Sequence, residues 1–211
     1  MSEPKRLAGE KACEYVKDGM VLGLGTGSTV YYTLKKIAEL GLNVTGVCTS
    51  VDTENKCKEL GIKTAGINEH DPELAIDGAD EIDGNRHLIK GGGGALTREK
   101  IVDYRAKEFI VIAEERKVVG QLGETFFLPV EVIQFAWERT QRELKERFER
   151  VEKREFTTDN GNYILDCHGK IADAVAWEKE INSIPGVVEN GLFTRDIKKI
   201  IVGNDTGVKE I

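Results

Sequence analysis

The sequence predicts an α/β domain built on a mostly parallel, doubly wound sheet and interrupted by a smaller α+β domain. Three observations carry that expectation. Over the first 120 residues, short apolar runs alternate with segments of helical periodicity, which is the rhythm of consecutive β-α-β units. From 126 to 193 the order becomes β-α-β-β-α-β, with a hairpin turn at Asp159-Asn-Gly161, as in a ferredoxin-like unit. A last apolar run, Ile197–Val202, is placed to return to the first sheet. The expected domains are therefore 1–125 with 196–211, the α/β catalytic domain, and 126–195, the ferredoxin-like one.

Each element has its own signal. Ala8, Ala12, Tyr15 and Val16 mark one face of a first helix that stops near Asp18-Gly19, and Met20–Gly25 reads as a buried strand. Val30, Leu34, Ile37 and Ala38 recur at i, i+4, i+7 and i+8, so a second helix follows and Gly41 ends it. Strands are expected over 44–50 and 74–77, with a short helix over 52–60 after the first of them. A helix over 97–107, with Thr97 as its N-cap, feeds Glu108–Ala113, a continuous apolar run suited to the inside of a sheet. In the second domain Trp137, Leu144, Phe148 and Val151 line one stripe of a charged helix, 135–150. Strands 151–158 and 162–167 flank the hairpin turn. Ala174, Trp177, Ile181 and Ile184 make a further helix, stopped by Pro185-Gly186, and 187–193 is one more strand.

Composition narrows the function. The chain has 211 residues, 37 acidic against 30 basic, for a net charge of −7. That balance argues against a nucleic acid or an anionic membrane as partner. No run approaches the roughly 20 apolar residues that span a bilayer, and no apolar stretch follows the N-terminal residues as in a secretory leader. Cysteines 13, 48, 57 and 167 form no C-x-x-C pair, and Cys13 and Cys48, among apolar neighbours, read as buried free thiols of a reducing compartment. A cytoplasmic protein is expected.

Three segments carry chemistry, each expected at the carboxyl end of a strand, where open α/β sheets place ligands. Gly23-Leu-Gly25-Thr-Gly27-Ser-Thr29 lies between a strand and a helix. Its glycines free backbone N–H groups to meet an anion at a helix N-terminus. No Gly-Lys-Ser/Thr follows, so it is not a P-loop. As a dinucleotide fingerprint it lacks the third glycine and the distal acid. Asp77-Gly-Ala-Asp80-Glu-Ile-Asp83 puts four carboxylates in seven residues. Their mutual repulsion suits acid–base chemistry. A solvated acidic turn and a metal site are the alternatives, although the spacing fits no calcium loop and no histidine is placed as a co-ligand. Lys90-Gly-Gly-Gly-Gly94 then brings a lysine to a loop whose backbone can approach a ligand closely, its amides expected to surround the substrate. Glu99 follows in a first helical turn, where the dipole keeps a carboxylate ionised and able to act as a base. Taken alone, Glu99 is better read as a helix-stabilising first-turn glutamate.

An anion cradle, a carboxylate cluster, a lysine and a base together suit proton abstraction beside the carbonyl of a phosphorylated sugar. No cofactor motif is present, so the reaction must be one that side chains manage alone, and aldose–ketose isomerisation through an enediolate qualifies.

These segments resemble the signatures of type A ribose-5-phosphate isomerases: Gly25-Thr-Gly-Ser-Thr29, Asp77-Gly-Ala-Asp80-Glu81, Lys90-Gly-Gly-Gly93 and Leu96-Thr-Arg-Glu-Lys100. The likeness continues in order through Leu128-Pro-Val-Glu-Val132, Thr158-Asp-Asn-Gly-Asn162, Ile184-Pro-Gly-Val187 and Gly191-Leu-Phe193. It implies interconversion of D-ribose 5-phosphate and D-ribulose 5-phosphate in the non-oxidative pentose phosphate pathway, without metal or other cofactor, by a homodimer or homotetramer. By the same resemblance Glu99 is the general base and Asp77 assists ring opening. Asp80 and Lys90 position the hydroxyls and reacting oxygens. Thr26, Gly27, Ser28 and Thr29 take the phosphate, with Lys5 reaching in from the first helix. Gly78, Ala79, Gly91, Gly92, Gly93 and Lys117 complete the substrate contacts. Gly94 stands where the family commonly has alanine, and the N-terminal segment is short. Two other readings remain: a sugar-phosphate-sensing regulatory module, which needs the cradle without the base, and an acyl-coenzyme A transferase, which usually needs a longer chain.

Overall fold

A computed structural model describes residues 2–211. The chain opens with α1 (Glu3–Ala12), β1 (Val21–Leu24), α2 (Ser28–Glu39), β2 (Thr45–Cys48), α3 (Val51–Glu59) and β3 (Lys63–Thr64). Next come β4 (Leu74–Gly78), β5 (Glu81–Ile82), β6 (Leu88–Ile89), α4 (Leu96–Arg105) and β7 (Glu108–Glu114). Then follow β8 (Leu128–Val132), α5 (Trp137–Lys145), β9 (Arg150–Thr157), β10 (Tyr163–His168) and α6 (Ala174–Asn182). The last strands are β11 (Val187–Asn190), β12 (Leu192–Phe193), β13 (Lys199–Asn204) and β14 (Gly207–Glu210). The chain divides into two compact units. One runs to Gly78 and resumes over Arg98–Arg116 and Asp196–Ile211, and the other holds Ala79–Thr97 and Lys117–Arg195.

The first unit is a seven-stranded sheet in the order β14-β13-β7-β4-β1-β2-β3. Every pairing is parallel except the terminal β13–β14 hairpin. Interior strands β4 and β7 are buried along nearly their whole length, as the continuous apolar runs require of strands covered on both faces. From β1 the chain winds outward to β2 and β3, then crosses back to lay β4 on the other side of β1. That reversal is a topological switch point, and the loops leaving β1 and β4 meet there. Leu22, Leu24, Ile76, Ile110 and Ile112 of the sheet pack with Val30, Leu34 and Ile37 of α2. Helix α1 crosses α2 closely because position 9 has no side chain: a Cβ there would lie 2.7 Å from the Thr29 carbonyl oxygen. The Thr33 hydroxyl donates to the Gly9 carbonyl at 2.9 Å and seals the crossing.

In the second unit β8-α5-β9-β10-α6-β11 forms an antiparallel sheet ordered β11-β8-β10-β9. The split β-α-β arrangement of a ferredoxin-like unit is thus present. Leu128, Val130, Val132, Leu165 and Cys167 of the sheet bury against Leu144, Phe148 and Ile181 of the helical side. A separate three-stranded sheet, β12-β6-β5, belongs to the same unit.

Some elements depart from the sequence expectations for local reasons. The expected strand 187–193 divides between two sheets, with Gly191 at the break. A Cβ there would lie 2.3 Å from the Lys90 carbonyl oxygen. Helix α5 is shorter than 135–150 because Ala136 adopts a left-handed φ of 56° and β9 already starts at Arg150. Segments 79–97 and 117–125, grouped by sequence with the α/β domain, fall in the second unit. There β5 and β6 pair with each other and β6 with β12. Among the described residues no helix is long and apolar enough to cross a membrane.

Candidate active site

In the first unit the loop from Gly25 to Thr29 and Asp77 lie at the switch point between β1 and β4. The Gly25 N–H donates to the Ile76 carbonyl at 3.0 Å, bringing the loop after β1 against the end of β4. Asp77 is fully buried. Its Oδ1 accepts from the backbone N–H of Thr26 at 3.1 Å and of Gly78 at 2.6 Å. Position 25 must be glycine, since a Cβ would stand 1.9 Å from that same oxygen. Gly27, at the N-terminus of α2, has φ 120° and ψ 179°, a conformation in which side-chain-bearing residues are strained. No side chain caps the helix, so its first amides face whatever the loop holds, with the dipole behind them.

The hydroxyls near this loop divide into two sets. Thr26 Oγ1 turns inward, 2.8 Å from both Thr49 Oγ1 and Ser50 Oγ. The chain runs on from Ser50 Oγ to Thr53 Oγ1 at 3.0 Å and from there to the Gly25 carbonyl at 2.9 Å. Thr26 thus fastens the loop to α3 through its side chain and to Asp77 through its amide. Ser28 faces out, and Lys5 Nζ donates to its Oγ at 3.0 Å. The α1–α2 crossing brings that ammonium to the N-terminus of α2. Lys5 also lies 3.7 Å from Glu114. Thr29 occupies the first turn of α2. Glu99, 4% exposed, occupies the first turn of α4.

In the second unit the acidic cluster resolves into separate tasks. Glu81 is fully buried and accepts from the N–H groups of Gly123 and Thr125 at 2.6 Å and Phe126 at 2.8 Å, and from Thr125 Oγ1 at 2.7 Å. Asp83 Oδ1 accepts from the N–H of Asn85 at 2.9 Å and of His87 at 2.8 Å, closing the β5–β6 turn. These two carboxylates hold loops. Asp80 Oδ2 accepts the Gly92 N–H at 2.7 Å, and its Oδ1 lies 3.7 Å from Lys117 Nζ. Local donors therefore compensate the repulsion that the sequence suggested. Among the described residues no three His, Cys, Asp or Glu side chains are grouped to hold a metal ion.

Lys90 is 1% exposed, with its ammonium 5.2 Å from the centre of the Phe193 ring, and its N–H donates to the Gly191 carbonyl at 2.9 Å. The glycine loop was expected to turn its amides toward the substrate, but two of them are held by the protein itself. Gly92 N–H serves Asp80, and Gly94 N–H serves the Gly91 carbonyl at 3.0 Å. Arg154, paired with Asp166 at 2.6 and 2.9 Å, donates to the carbonyls of Gly91 and Gly92 at 3.1 and 3.2 Å. Gly93 lies exposed, and Ala79 is half-buried between the two aspartates of the motif. Thr97 does not cap α4, which begins one residue earlier. Its hydroxyl donates instead to Glu131 at 2.5 Å. Arg154, Glu131 and the Thr49, Ser50 and Thr53 hydroxyls escape sequence reasoning because no local pattern marks a residue whose partners lie tens of positions away.

The family model of ribose 5-phosphate isomerase A (phosphoriboisomerase A) matches residues 45–207. The chain belongs to this family. Ribose-5-phosphate isomerase A of Bacillus mycoides is 47% identical over 221 residues, covering 100% of both chains. The solved ribose 5-phosphate isomerase A of Methanocaldococcus jannaschii superposes with a TM-score of 0.92 at 44% identity, covering 98% of this chain and 97% of that one. A solved D-ribose-5-phosphate isomerase in complex with phospho-erythronic acid gives 0.94 at 41% identity, covering 98% and 96%.

Proposed function

We propose that Glu99 is the base of the isomerisation and that Asp77, Asp80 and Lys90 manage the oxygens. Family membership makes the chain an isomerase that interconverts ribose 5-phosphate and ribulose 5-phosphate in the pentose phosphate pathway. The observation that carries the mechanism is the switch-point cradle, whose own Thr26 amide fixes the buried Asp77 carboxylate.

The phosphate sits at the uncapped N-terminus of α2, against Gly27, Ser28 and Thr29, with Lys5 supplying positive charge. The buried Asp77 carboxylate assists opening of the furanose ring. Glu99 removes the proton from C2 of the open aldose. The electrons move into the carbonyl, giving a cis-enediolate; the same carboxylic acid returns the proton to C1 while the O2 hydroxyl proton passes to O1, leaving the ketose carbonyl at C2. Lys90 stabilises the developing oxyanion. Asp80 accepts from the sugar hydroxyls, with Lys117 beside it. Gly78, Ala79 and Gly91 to Gly93 line the sugar. Phospho-erythronic acid, bound in the solved relative, is a phosphorylated polyhydroxy acid whose planar carboxylate has the paired oxygens of such an enediolate, which supports this reading. No step calls on a metal. We also propose a cytoplasmic homodimer or homotetramer, consistent with four free cysteines.

Conversion of ribose 5-phosphate to ribulose 5-phosphate in EDTA, with arabinose 5-phosphate as an unreactive competing epimer, tests the reading. Turnover that survives the chelator is expected. Binding without turnover would instead favour a sugar-phosphate sensor, and loss of activity with EDTA would require a metal.

A further inference from the structure

Glu131 lies in β8 and is fully buried. Its Oε1 accepts from Thr158 Oγ1 at 2.8 Å, Asn160 Nδ2 at 3.0 Å and Asn162 Nδ2 at 2.9 Å. Its Oε2 accepts from Thr97 Oγ1 at 2.5 Å. An asparagine side-chain nitrogen can only donate. Thr158 Oγ1 itself accepts from the N–H groups of Asn160 at 3.2 Å and Asn162 at 3.1 Å, which leaves its proton for Glu131. Each of these four partners is a donor, so the site is built for a group that only accepts. A buried carboxylate is costly unless hydrogen bonds of this kind surround it. Through it, segments 128–132 and 158–162 meet Thr97.

The Thr97 bond differs in kind from the others. The first turn of a helix has no intrahelical partners for its amides, so contacts from outside help to fix it. Here the anchor comes from 34 positions away. It grips Thr97, two residues before Glu99 in the same turn.

We propose that Glu131 is a positioning residue for the isomerisation. By holding the Thr97 hydroxyl it fixes the first turn of α4, and with it the direction in which Glu99 presents its carboxylate. Glu131 does not touch the substrate. The inference rests on Glu99 being the base. Misplacing a proton-transfer group by about 1 Å lowers the rate about a hundredfold, and such a loss falls on kcat while phosphate and sugar contacts keep KM.

The test compares full-length Thr97→Val, Thr97→Ser, Glu131→Gln and the Thr97→Val/Glu131→Gln double variant, with Glu99→Gln as control. Each is assayed for ribose 5-phosphate turnover below its measured melting temperature. Thr97→Val should lose about tenfold to a hundredfold in kcat with KM unchanged within about twofold. Thr97→Ser should restore the rate, and the double variant should be no slower than Glu131→Gln, because the two changes break one link. If Glu131→Gln does not fold, the Thr97→Val and Thr97→Ser pair decides. Folded Thr97→Val with wild-type kcat, or Thr97→Ser no faster than Thr97→Val, overturns the proposal while leaving Glu99 in place. A Glu99→Gln enzyme of undiminished kcat would overturn the base assignment itself, and the positioning role with it.

Discussion

Gly25→Ala adds one methyl group beside Asp77 and leaves the chemistry of every other residue unchanged. The new Cβ would lie 1.9 Å from Asp77 Oδ1, 2.1 Å from its Cγ and 2.6 Å from its Cβ. Reaching even 3.0 Å requires a relative shift of about 1.1 Å. Asp77 has no room to yield cheaply, because it is fully buried and Oδ1 holds the amides of Thr26 and Gly78. Overpacking costs about 1–3 kcal/mol, and each buried donor left without its acceptor costs about 1–3 kcal/mol more. With partial relaxation the expected loss is about 2–5 kcal/mol, or about 5–15 °C in Tm for a chain of this length. A displacement of that size in a group that assists the reaction should lower kcat/KM about a hundredfold. Calorimetry and a coupled ribulose 5-phosphate assay on the purified variant measure both. A Gly25→Ala enzyme within twofold of wild type in kcat/KM, with Tm unchanged within about 2 °C, would refute the link between the cradle and Asp77.

Glu81→Gln sets an amide NH2 against at least one of four donors and should destabilise the protein by about 2–4 kcal/mol in denaturant unfolding; equal stability would contradict its role in holding the 123–126 loop. Burial pushes the Cys13 thiol up to about 12 and raises Cys167 well above the ordinary thiol value. Neither should react with a chromogenic disulfide in the native protein near pH 8, and both should react in denaturant; rapid native labelling of either by mass spectrometry would contradict their burial. Burial opposes the charged form of Glu114, but hydrogen bonds from Ser2 and Arg116 and the Lys5 charge outweigh it and hold its carboxyl below 4.5. That stability is present above the ordinary value and is lost as pH falls through the lower folded value. The Tm gap between wild type and Glu114→Gln should therefore shrink as the pH is lowered past 4.5, and a gap independent of pH would contradict it.

What the sequence made legible was local. The Gly23–Thr29 turn, the apolar β4 and β7 runs and the hairpin at 159–161 are each written in neighbouring residues. They were enough to place the cradle and Asp77 at strand ends. Strands β3, β5, β6 and β12 have two residues each, too few for any periodicity to register, and so the membership of 79–97 was missed. The four carboxylates from Asp77 to Asp83 looked alike in sequence. Glu81 is set apart by donors more than 40 positions away and Asp83 by the turn amides of Asn85 and His87, so that both hold loops. The glycine loop shows the same limit, since its composition announced a close approach but not that Asp80 and Arg154 already hold part of its backbone.

The central claim is that a carboxylate carries a proton between C2 and C1 through an enediolate. Turnover of ribose 5-phosphate in D2O, followed by NMR of the ribulose 5-phosphate formed, tests it most directly. The account predicts solvent deuterium at C1 of the product made by the wild-type enzyme, and loss of both turnover and exchange in Glu99→Gln. Turnover or exchange undiminished in Glu99→Gln would contradict it.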